Sequence, residues 1–114
     1  MSEILLDGFH AAMLEIYEAA KRLKPPYVAP RFLRMVHEHG GKETADRLLA
    51  TGNPSEGFTQ LFMRGPQHLQ ISVEYVVLQS PWRTLFEPEQ LAIARARLLA
   101  HNCPPPPEDE VRAG

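Results

Sequence analysis

The sequence predicts an all-α fold: one compact bundle of five or six short helices, then a disordered, proline-rich, acidic C-terminal tail. Three observations carry that prediction. Apolar residues recur at the three- and four-residue steps of a helical face. These stripes are separated by stop and start signals at Pro25-Pro26, Gly40-Gly41, Gly52-Asn53-Pro54, Gly65-Pro66 and Ser80-Pro81. At 114 residues the chain suits a single domain, and a domain of that size buries roughly two-thirds of the surface its unfolded form exposes. The helical domain is placed at 1–102 and the tail at 103–114.

The first helix is expected from Asp7, an acceptable N-cap, to about Leu23, with Phe9, Met13, Ile16, Tyr17, Ala20 and Leu23 on one face. Pro25-Pro26 ends it, because proline cannot donate to the ladder and displaces the preceding residue from the α region. Pro30 opens the second helix, which turns Phe32, Leu33 and Val36 inward and stops at Gly40-Gly41. A third runs from about Lys42 to Ala50, with Ala45, Leu48 and Leu49 inside and Gly52 as its C-terminal cap. Asn53-Pro54-Ser55-Glu56 then combines a capping side chain, a proline suited to the first helical position and an acid three residues after the cap. The helix it opens carries Phe58, Leu61 and Phe62 inward and ends at Gly65-Pro66.

Residues 69–78 fit two patterns. Leu69, Ile71, Val73, Tyr75 and Val77 alternate as a strand does, whereas Ser72 as a cap and Val73, Val76 and Val77 as a stripe fit a helix. The helix is preferred, because a lone strand has no partner for its backbone groups. Pro81 to Phe86 forms a turn that lowers Trp82, Leu85 and Phe86 onto the core, with Trp82 expected among Phe58, Phe62 and Phe86. Pro88 opens the last helix, with Leu91, Ala94 and Leu98 inward and Leu99 as a further candidate, ending near His101-Asn102. Four prolines after Cys103 favour extended polyproline II geometry.

Composition excludes several classes. Hydrophobic residues at 44% and charged residues at 23% suit a globular chain. No apolar run approaches the roughly 18 residues of a membrane span, and no basic segment precedes an apolar one at the N-terminus, so a cytoplasmic protein without membrane attachment is expected. A lone Cys103 agrees with a reducing compartment. The net charge of −2 resides in the tail, and a neutral body is poorly suited to non-specific nucleic-acid binding. Charge is nevertheless uneven: residues 1–20 hold acids and no Lys or Arg, while 21–34 hold Lys21, Arg22, Lys24, Arg31 and Arg34 and no acid. Those five cations are the candidate partner-binding residues, for another protein or for self-association.

Phe32-Leu33-Arg34-Met35-Val36-His37-Glu38-His39-Gly40-Gly41-Lys42-Glu43-Thr44-Ala45, Pro54-Ser55-Glu56-Gly57-Phe58 and Trp82-Arg83-Thr84-Leu85-Phe86 follow one another in an order that resembles an uncharacterised family of small bacterial all-helical proteins. The resemblance covers about residues 9–101 and departs at Pro66 to Ser72, where Arg and Asp are more usual. It implies a bacterial, intracellular, all-α module and no particular activity.

Catalytic signatures are weak. His37 and His39 are two apart, so on a helix they point in divergent directions, whereas helical zinc pairs stand four apart. Ser55 lacks the flanking glycines of a nucleophile elbow, and Cys103 lies between the domain and a proline run, where nothing depresses its pKa. No catalytic residue, cofactor or metal is therefore assigned. The function expected is a non-enzymatic protein-protein interaction or adaptor module. The alternative is a small helix-turn-helix-like DNA-binding regulator over 42–64, with Ser55, Thr59, Gln60 and Arg64 facing the duplex and Glu56 opposing it.

Overall fold

The computed structural model describes residues 3–107, and every regular element among them is helical. Helix α1 (Glu3–Lys21) starts earlier than its sequence signal. Asp7 lies inside it rather than capping it, because Leu5 and Leu6 extend the buried face of Phe9, Met13, Ile16 and Ala20 and pack on the same core. It closes on a tight turn, in which Arg22 and Leu23 donate their N–H groups to Ala19 and Ala20, and irregular chain follows to Ala29.

Helix α2 (Pro30–His39) starts at its proline and stops at Gly40, whose φ of 85° is the left-handed geometry that glycine adopts without strain. Helix α3 (Gly41–Ala50) begins against α1: a Cβ on Gly41 would stand 2.8 Å from the His10 backbone, and the Gly41 N–H donates to His10 Nδ1 at 3.0 Å. Its C-terminal cap is an extended Thr51, not Gly52. Helix α4 (Glu56–Met63) is capped by Ser55, two residues beyond Asn53, with Ser55 Oγ accepting from the Phe58 N–H at 3.2 Å. Asn53 stays in the turn, where its carbonyl accepts from Thr51 Oγ1.

The ambiguous stretch resolves into a 3₁₀ helix (Pro66–Ile71) and a short α5 (Val73–Val77) capped by Ser72, whose Oγ accepts from the Tyr75 N–H. A second 3₁₀ turn (Trp82–Leu85) leads to α6 (Pro88–Ala100), where Gln90 Oε1 accepts from the Glu87 N–H. Leu98 is fully buried, but Leu99 is 59% exposed.

The core sits where α1 crosses α2 and α3, with α6 closing over α3 and α5. Trp82 takes a different place from the one expected. It stands edge-on to Phe9 at 5.9 Å and close over Gly8, while Phe58 and Phe62 instead flank the His101 ring at 4.9 and 5.0 Å. Packing also continues beyond residue 102. Cys103 is 2% exposed, and Pro106 is buried. The acidic end expected to be disordered, residues 108–114, lies outside the described residues.

Candidate functional site

Residues 24–29 are the start of the site. Pro25, Pro26 and Pro30 keep this stretch out of helix, so no helical side chains fill the space between the end of α1 and the start of α4. Arg64 pins the stretch from the far side. Its Nε donates to the Pro25 carbonyl at 2.6 Å, its Nη2 to the Pro26 carbonyl at 3.1 Å, and its guanidinium stands 5.5 Å over the Tyr27 ring.

The result is an open cavity of about 450 Å³ between α1, the Tyr27–Arg31 stretch, α2 and the N-terminal ends of α4 and α5. Ile16, Ala20, Phe32, Phe58, Leu61 and Val73 make its wall largely apolar. Gly57 keeps the α4 side clear, since a Cβ there would meet only Ser55 Oγ at 3.7 Å and Tyr27 Cε2 at 4.0 Å. At the mouth Val28 is 54% exposed.

Three charged residues line the cavity: Arg31, Glu56 and Glu74. Arg31 and Glu56 are exposed, whereas Glu74 is 2% exposed and paired with the buried Arg97, Nη1 to Oε2 at 2.9 Å. Arg97 also donates to the carbonyls of Leu48 at 3.1 Å and Thr51 at 2.6 Å. One guanidinium thus satisfies the end of α3 and neutralises the start of α5. Burial pushes the Glu74 carboxyl above the usual glutamate range, against the opposing pull of Arg97. Burial first, then the charge of Glu56, raises the Tyr27 phenol, while Arg64 and Arg31 act the other way.

The cations singled out in the sequence divide into two sets. Lys21 pairs with Glu18 at 3.4 Å and stands over the Tyr17 ring, and Arg22 pairs with Glu15. The acidic helix and the basic segment therefore partly neutralise each other within one molecule. Lys24, Arg31 and Arg34 are exposed and make no ion pair among the described residues. Arg31 lines the cavity, and Arg34 follows it by one turn of α2.

The residues of the DNA-binding alternative are arranged otherwise. Ser55 caps its own helix, Thr59 is exposed, and Gln60 accepts from Arg64 Nη1 at 3.0 Å, through its side chain and through its carbonyl. Helix α3 packs mainly on α1, α2 and α6, and α4 mainly on the first 3₁₀ helix. The two are not the mutually packed pair of a helix-turn-helix.

His37 is exposed, and His39 Nε2 lies 4.0 Å from Glu38 Oε1. No group of three His, Cys, Asp or Glu side chains among the described residues is placed to hold a metal ion. No helix among them is long and apolar enough to cross a membrane. Burial raises the pKa of the Cys103 thiol.

The sequence reading found the basic segment but not the cavity beside it. Tyr27, Val28, Gly57, Phe58, Glu74 and Arg97 were missed as a group because they come from four separated stretches. The one local signal was a Tyr-Val pair set between prolines, apolar residues without a helix to bury them. No protein-family model matches the chain, and no curated protein or solved structure matches it.

Proposed function

We propose that this protein is a non-enzymatic interaction module of the bacterial cytoplasm that receives an apolar anchor from a partner protein in the cavity between α1, α2, α4 and α5. The observation that carries this reading is the cavity of about 450 Å³, within the roughly 300–1,000 Å³ of binding pockets. Interiors otherwise pack to crystal-like density, with few voids larger than a water molecule. The exposed Val28 at the mouth adds apolar surface that folding alone does not bury. The buried carboxylate is engaged by Arg97, which suits a structural wall better than proton transfer.

The DNA-binding alternative over 42–64 has less support. The one cation among its four DNA-facing residues, Arg64, spends its donors on Pro25, Pro26 and Gln60, and Glu56 faces the same side as the cavity.

A photo-crosslinking amino acid at position 28, introduced into the protein in its native host, tests the proposal. Irradiation is expected to give a discrete protein adduct that disappears when Gly57→Leu fills the cavity. Adducts to nucleic acid, or a protein adduct unaffected by Gly57→Leu, would contradict it.

A further inference from the structure

We infer that the anchor enters this cavity from an extended segment of the partner protein, which lies antiparallel along Pro26 to Pro30 and exchanges main-chain hydrogen bonds with Val28. The inference rests on the reading of the cavity as a protein-binding site and adds the conformation of its occupant. Unpaired backbone at the mouth carries it. The chain from Pro26 to Ala29 is neither helix nor turn, and exposure alternates along it: Pro26, Val28 and Pro30 are exposed, Tyr27 and Ala29 half-buried. This is the two-residue period of a strand with one face on the body.

The backbone groups divide in the same way. Tyr27 donates its N–H to the Ala20 carbonyl at 2.9 Å, and the Ala29 carbonyl accepts from the Leu33 N–H at 3.1 Å. Arg64 occupies the carbonyls of Pro25 and Pro26. Between Pro25 and Pro30, Val28 is the residue whose N–H and C=O are both unpaired among the described residues. In extended backbone those two groups point to one edge, and an antiparallel partner residue engages them together. A helix docked at the mouth would leave them without a protein partner, because it spends its own backbone groups internally. Pro26 and Pro30 cannot donate, so pairing stays centred on Val28 and does not spread into open-ended strand association. The residue opposite Val28 has neighbours whose side chains share the face of Tyr27 and Ala29, and both of these line the cavity. The main-chain bonds thus fix the register, and the cavity selects an apolar side chain at the alternate position.

The test uses the full chain and the fluorescein-labelled peptide Thr-Phe-Thr-Leu-Thr, blocked at both ends, with single N-methyl groups placed along it. N-methylation of the central Thr removes the donor that faces Val28 and should weaken binding by about fivefold. The same change at Phe or Leu, whose N–H groups point away from Val28, should alter it little. Deuterium exchange of the Val28 amide should slow in the complex. A helix-forming peptide with Phe and Leu one turn apart should bind more weakly. Gly57→Leu should weaken binding of the extended peptide by at least about thirtyfold while leaving the thermal midpoint unchanged or higher, because a Cβ there meets only ordinary contacts.

Three results overturn the extended mode and leave the pocket reading standing, provided that Gly57→Leu still blocks binding. They are a helical peptide that binds at least as tightly, no effect of N-methylation at the central Thr, and unchanged exchange at Val28. If neither peptide binds, or Gly57→Leu leaves binding intact, both fail.

Discussion

Arg97 ties α6 to the end of α3 and to α5, because its donors reach Leu48, Thr51 and Glu74 from between the apolar Ala96 and Leu98. Arg97→Ala leaves the buried Glu74 carboxyl without its partner and the Thr51 carbonyl without this donor, and should cost about 3–5 kcal/mol in denaturant unfolding. Burial sets the pH dependence of its partner. Folded Glu74 lies above its ordinary pKa and holds a proton more tightly than the unfolded chain does. Its contribution is fully present below the ordinary glutamate value and is lost as pH rises through the raised one. The stability of the natural protein relative to Glu74→Gln should therefore fall across that window as pH rises. A difference that grew with pH would make the attraction of Arg97 the larger effect. Thr44 offers the reverse case. Its Oγ1 is buried without a hydrogen-bond partner, so Thr44→Val should raise stability by about 1–2 kcal/mol. A loss on thermal unfolding would show that the hydroxyl is satisfied.

Elements whose ends are set by local chemistry were legible in the sequence, and those set by distant contacts were not. Pro30, Ser72 and Pro88 open or cap helices as expected, because a fixed φ or a side-chain acceptor acts within one turn. Asn53 lost the cap to Ser55, since both carry an acceptor and local pattern alone does not choose between them. Gly52 was expected to end α3, but Arg97, from more than forty residues away, satisfies those carbonyls instead. That distinction is measurable. Gly52 has no positive φ and open space around its Cα, so Gly52→Ala should stabilise the protein by about 0.4–1 kcal/mol. Gly40→Ala should destabilise it, because φ there is 85°. Equal tolerance at both positions would contradict the assignment of the two helix ends.

At the scale of the whole molecule, the helical class and the apolar faces followed from periodicity, but the pairing of those faces did not. Trp82 meets Phe9 rather than Phe58 because α1 and the second 3₁₀ turn come together across more than seventy residues of chain, and no local pattern encodes that contact. The cavity was hidden for the same reason. Its apolar wall residues look locally like ordinary core positions, and the failure of residues 24–29 to form a helix leaves the space between α1 and α4 unfilled. The proposed function depends on that space more than on any single side chain. The most direct test is a measurement of intermolecular nuclear Overhauser effects between the Leu and Phe side chains of a bound amphipathic peptide and the isotope-labelled protein. The account predicts contacts to Phe58, Leu61 and Val73 inside the cavity, with Val28 and Arg31 at its edge. Contacts confined instead to the exposed Ile93 and Leu99 on the outer side of α6 would contradict it.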